Sequence, residues 1–141
     1  MSTSVFINLP VTDLERAKAF HEALGYRIDE RYTDEQAACV VVEEGSVHLM
    51  LLTRPFFETF TDKTIIDPRT HVQVLNALSL DSREAVDEML AKGLAAGGSE
   101  PVPPQEMEFM YSRDLQDPDG NIFEYFWMDE ARAPQGASDA S

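Results

Sequence analysis

Leu9-Pro-Val-Thr-Asp-Leu-Glu-Arg-Ala-Lys-Ala-Phe-His-Glu-Ala-Leu-Gly-Tyr26 is the stretch whose reading decides the fold. It follows Val5-Phe-Ile-Asn-Leu9, a short β-branched and aromatic run that meets Pro10, the pattern of a strand coming to its end. Thr12 and Glu15 have the spacing of a capping box, in which the hydroxyl accepts from the Glu15 amide and the carboxylate reaches back. Leu14, Ala17, His21 and Leu24 then recur at helical intervals and form one apolar stripe, which makes His21 a packed residue before it is a chemical one. Gly25 stands where a left-handed residue closes a helix. The stretch therefore predicts a strand, a sharp entry into an amphipathic helix, and a clean exit.

Tyr26–Arg31, Ala37–Val42 and Ser46–Leu52 read as three strands, parted by the polar turns Thr33-Asp-Glu-Gln36 and Glu43-Glu-Gly45. The second half repeats the order. Gln73–Leu80 is a strand, and Asp81-Ser-Arg-Glu84 opens a helix with Val86, Met89, Leu90 and Leu94, which stops at Gly97-Gly98. Pro101-Val-Pro-Pro104 is an irregular or edge segment. Phe109–Leu115 and Ile122–Met128 are strands joined by Gln116-Asp-Pro-Asp-Gly120, a strong turn signal. Setting Leu9 on Leu78 aligns the halves at an offset of 69 residues, a duplicated βαβββ unit. The expected organisation is one domain: a first module over 4–52, a linker over 53–71, a second module over 72–129 and a flexible tail over 130–141. Pro55-Phe-Phe-Glu-Thr-Phe60 starts a short helix whose phenylalanines form either a lid or a seam between subunits.

Composition narrows the function. The chain has 141 residues, with 26 acidic and 11 basic side chains and a net charge of −15, so nucleic acid and anionic membrane surfaces are excluded as partners. A hydrophobic fraction of 43% supports a packed core. The single cysteine, Cys39, lies in an apolar strand, which predicts an inert buried thiol and a reducing, cytoplasmic setting. No secretory leader is expected, and no apolar run in the sequence is long enough to span a membrane as a helix.

The front stretch, together with Asp117-Pro-Asp-Gly-Asn-Ile-Phe-Glu-Tyr125 at the back, resembles the vicinal-oxygen-chelate superfamily of glyoxalase I, bleomycin- and fosfomycin-resistance proteins, extradiol dioxygenases and methylmalonyl-CoA epimerase. The resemblance covers about residues 4–129 and implies an α+β fold, two tandem βαβββ modules forming curved mixed sheets around a cavity. It also implies a homodimer and, in many members, a divalent metal held by one side chain from each of four strands. Those four positions fall here on Phe6, Met50, Leu75 and Glu124. Phenyl, alkyl and thioether groups do not hold magnesium, manganese or zinc, so no metal and no cofactor is expected. A one-residue slip in strand register would bring in His48 and Asn76 and still leave the donor set short. His71, at the end of the linker, is expected on the surface or at a rim.

Glu124 is the sharpest single residue. It shares a strand face with Ile122 and Phe126 and is a candidate general base or hydrogen-bond acceptor; the alternative is a structural carboxylate satisfied by Arg113. Tyr111 and Arg113 alternate onto one face of the neighbouring strand and Ser112 and Asp114 onto the other, and either pair can meet Glu124. Asn8, on the face of Phe6, offers an amide to a carbonyl-bearing ligand, over an apolar floor of Phe6, Met50, Leu75 and Ala77. The expected function is metal-free binding of a small organic molecule. A lyase or isomerase using Glu124 is the first alternative and a metal-dependent lyase or dioxygenase the second.

Overall fold

The computed structural model describes residues 2–132. The expected flexible tail lies largely outside them, from residue 133 onward. The first half contains β1 (Val5–Val11), α1 (Leu14–Ala23), β2 (Arg27–Asp29), β3 (Ala37–Glu43) and β4 (Val47–Thr53). A short helix, α2 (Arg54–Glu58), opens the connector with Pro55 in its first turn. The second half contains β5 (Leu75–Ser79), α3 (Arg83–Ala95), β6 (Gln105–Met107), β7 (Met110–Gln116) and β8 (Ile122–Met128). The described strands form two four-stranded sheets of identical topology, ordered β1-β4-β3-β2 and β5-β8-β7-β6. In each, the first strand lies parallel to the last and the other pairs are antiparallel. This is the paired βαβββ architecture that the repeat in the sequence predicts.

The repeat extends to the helix entries. Asp13 caps α1 by accepting from the Arg16 amide at 3.1 Å, and Ser82 caps α3 by accepting from the Ala85 amide at 3.0 Å. These caps are equivalent residues of the two halves. The expected capping box therefore needs correction: Thr12 is not the cap. Its amide and hydroxyl both donate to Asp119 Oδ1, at 2.9 and 2.7 Å, so it is drawn across to the other half of the chain. The strand expected over Tyr26–Arg31 is also shorter. Asp29 accepts from the Arg31 amide and holds the Arg31 guanidinium at 2.8 Å, turning the chain into a 3₁₀ turn over Glu30–Tyr32.

One core joins the halves. Leu9, Val11, Leu49 and Leu51 on the helix side of the first sheet and Leu115, Phe123 and Tyr125 on the helix side of the second belong to one apolar cluster with Leu14, Ala17, Phe20, Val86 and Leu90. Gly93 lets α3 lie close against β7, since a Cβ there would overlap the Leu115 side chain. Polar groups pin the joint as well. Tyr26 and Tyr125 share a hydroxyl–hydroxyl hydrogen bond of 2.8 Å, and the rings of His21 and Phe123 meet edge to face at 5.5 Å. Cys39 is buried, and burial raises the pKa of its thiol.

Candidate functional site

The side of each sheet turned away from the helices carries the candidate residues. In the first sheet the parallel register sets Phe6 opposite His48 and Asn8 opposite Met50. The Phe6 and His48 rings stack with centroids 4.3 Å apart, while Phe6 keeps 51% of its surface exposed. His48 thus shares the face with Met50 without any slip in register. In the second sheet Leu75 lies opposite Ile122 and Ala77 opposite Glu124. The two patterns superpose: His48 matches Ile122 and Met50 matches Glu124, so Phe6 and Met50 in one half stand where Leu75 and Glu124 stand in the other. Asn76 points to the helix side and donates to the Ile122 carbonyl at 3.1 Å.

Strand β7 settles which pair meets Glu124. Asp114 is directly opposite Glu124, and Ser112 is opposite Phe126, so these share the face. Tyr111 and Arg113 lie on the other side of the strand and do not line the site with Glu124, which corrects their expected place. The reason is α3: Tyr111 donates to Asp87 at 2.6 Å, and Arg113 grips Glu100 with two bonds of 2.8 Å and reaches Asp87 at 2.9 Å. Arg113 therefore does not neutralise Glu124, which instead has a second carboxyl beside it. Burial first, and then the Glu124 and Glu100 charges, raise the pKa of Asp114. The Glu124 face, with Ile122 and Phe126 on either side, combines an apolar surface with a proton acceptor.

The residues at the four positions that the resemblance marks for a metal do not fit a divalent ion. Only Glu124 offers a hard donor, and among the described residues no three or more His, Cys, Asp or Glu side chains are grouped to hold one.

A cavity of about 590 Å³ opens where the connector folds over the starts of β5 and β8 and the middle of β1. Asn8, Asn76, Asn121 and His71 bring polar groups to it, against an apolar wall that includes Ile65, Val74 and Ile122. Of the candidates predicted from sequence, Asn8 lies here. His71 takes the rim position expected of it, with its Nδ1 2.8 Å from the Thr70 hydroxyl. In the sequence Asn76 entered only as a donor that a register slip would bring in and Asn121 was not singled out, and the signal that pointed here was the length of the connector.

The architecture defines a glyoxalase/bleomycin-resistance-type fold. A family model described as bleomycin resistance protein-like N-terminal matches residues 3–43. Among solved structures, a hypothetical protein from S. aureus is similar over 90% of this chain and 94% of its own, at 24% identity and a TM-score of 0.75. A glyoxalase/bleomycin resistance protein/dioxygenase family enzyme from Burkholderia phytofirmans PsJN covers 87% of this chain and 96% of its own, at 20% identity and a TM-score of 0.71. TnmS3, an antibiotic binding protein from Streptomyces sp. CB03234, covers 91% of this chain and 97% of its own, at 22% identity and a TM-score of 0.64. No curated protein matches the chain in sequence. These likenesses show the fold, and the family model adds a match confined to the first module. No described helix is long and apolar enough to cross a membrane.

Proposed function

We propose that the chain binds a small, partly apolar organic molecule without a metal, as a homodimer in the cytoplasm. The observation that carries this reading is the chemistry of the open sheet faces. Phe6 and Leu75 fall on positions that the family resemblance marks for metal donors, and both stand about half exposed, at 51% and 50%. Large apolar side chains left open on a strand face cost solubility unless a ligand or a partner covers them. The 590 Å³ cavity, which Asn8 and Ile122 line and Phe6 and Leu75 do not, adjoins these faces and has the size of a small-molecule site, for which about 300–1,000 Å³ is usual. The likeness to TnmS3, an antibiotic binding protein, supports a binding role. Glu124 favours a second reading, proton transfer on the bound molecule, because it stands half-buried among apolar neighbours with a second carboxyl opposite it.

Titration with the neutral dye Nile red, followed by sedimentation velocity, tests the reading. The wild type is expected to sediment at twice the 15.8 kDa chain mass. Phe6→Asp and Leu75→Asp are expected to weaken dye binding roughly 10-fold or more, the effect of losing one buried apolar side chain. Glu124→Gln is expected to leave dye affinity within about threefold, since the carboxylate contributes little to an apolar contact. Unchanged dye affinity in both Asp variants sinks the binding site, and a monomeric wild type sinks the dimer. Any turnover abolished by Glu124→Gln at retained affinity moves the assignment to catalysis.

A further inference from the structure

On the other side of Pro10 and Pro68, which line both spaces, lies a smaller hollow of about 300 Å³. Its charged lining is Arg16, Arg54, Arg69, Asp67 and Asp119, one positive charge in excess on a chain whose net charge is −15. Three of the chain's 11 basic residues thus converge here from three places: Arg16 from α1, Arg54 from the first residue of α2 and Arg69 from the connector. Pro10, Pro68 and Pro118 form rigid walls without N–H groups, so the side chains supply most of the recognition.

Most of the carboxylate oxygens are already engaged, although the buried Asp119 Oδ2 has no partner among the described residues. Asp67 takes the Arg69 guanidinium in a fork, with both contacts at 3.1 Å, and Asp119 Oδ1 accepts from Thr12 and from Arg16 at 3.4 Å. Arg54 is left over. It is half-buried, and among the described residues it donates to one backbone carbonyl, that of Ile65 at 3.3 Å. Among the described residues it makes no ion pair, although the chain has 26 acids. A guanidinium presents five donors in a planar fork; Asp67 lies near enough to feel the Arg54 charge, but its oxygens are held by Arg69, so most of the Arg54 donors are left for another acceptor.

We infer that this hollow is a site for a small oxyanion, the phosphate or carboxylate group of a ligand, held by two parallel bonds from Arg54 with Arg16 and Arg69 on its flanks. The site stands apart from the proposed apolar binding, so either can fail alone. The strong overall negative charge suppresses adventitious anion binding and makes the test clean. Calorimetric titration with inorganic phosphate and, separately, with acetate is expected to detect binding to the wild type at low salt. Arg54→Gln is expected to weaken it about 10-fold or more, the size of a lost charged hydrogen bond, without shifting the thermal midpoint. Arg54→Lys, which keeps the charge and loses the fork, is expected to fall between. Phosphate binding tighter than acetate identifies a phosphoryl ligand, and the reverse identifies a carboxylate; both support the site. No binding of either anion up to about 10 mM, or equal affinity in wild type and both variants, overturns it.

Discussion

Acid is expected to weaken the fold through His21, and His21→Leu is expected to remove that part of the pH dependence. His21 is 1% exposed, wedged against Phe20, Tyr26 and Phe123, and neither ring nitrogen has a hydrogen-bond partner. Burial lowers its pKa from 6.5 to about 4. Between those values the unfolded chain holds a proton that the folded chain refuses, so stability falls as the pH falls. The slope is about 1.4 kcal/mol per pH unit, on the order of 3 kcal/mol across the window. Asp117 works against this, because burial raises its carboxyl to about 6 and folding then favours its protonated form. Urea denaturation of wild type and His21→Leu across the same pH series cancels Asp117 and leaves the imidazole. The gap between the two is expected to widen in the variant's favour from about pH 6.5 down to about 4. Parallel curves would sink the prediction. Leucine suits the space, since the residue equivalent to His21 in the second half is Leu90, fully buried.

Gly120→Ala is expected to be the most damaging single methyl group in the chain. The Asp117-Pro-Asp-Gly120 turn closes when the Gly120 amide donates to the Asp117 carbonyl at 3.0 Å, with Gly120 at φ +104°. A Cβ there would lie 2.5 Å from the Pro68 carbonyl carbon and the Arg69 nitrogen, backbone atoms with no freedom to swing aside. The left-handed conformation alone costs an alanine about 1–3 kcal/mol, and the overlap adds to it. A fall in the thermal midpoint of about 8 °C or more is expected for a domain of this size. The connector is also expected to leave its seat, and faster tryptic cleavage after Arg69, whose backbone packs against the turn, reports that. A variant that melts with the wild type and resists trypsin equally would show that the turn and connector are not in contact.

The sequence carried the architecture because its signals are local. The stripe from Leu14 to Leu24, the turn at Asp117–Gly120 and the offset between the halves each lie within a few residues or repeat themselves. What it did not carry depends on partners far along the chain. Thr12 has the right spacing for a cap, yet Asp119, 107 positions away, takes both of its donors. Tyr-Ser-Arg-Asp in β7 has polar groups on both faces, so alternation cannot say which side is inward; Asp87 on α3 decides it. Phe6, Met50, Leu75 and Glu124 came from the family resemblance, and the two parallel registers set them at equivalent positions of the two halves. The arginine hollow was invisible, since Arg16, Arg54 and Arg69 share no spacing and meet only when the connector folds back.

The joint between the halves has a consequence for how the chain can be cut. Its holdfasts are Thr12 with Asp119, Tyr26 with Tyr125, His21 against Phe123 and the shared apolar cluster, and none of them lies in the connector. A nick among the exposed residues Asp62, Lys63 and Thr64 would therefore produce two fragments that stay together. Each fragment alone would present part of the common interior to water, Leu9, Leu49 and Phe20 on one and Leu115, Phe123 and Tyr125 on the other. The halves are thus complementing partners that happen to be covalently tied, with peptide continuity setting their stoichiometry and the interior setting their fit.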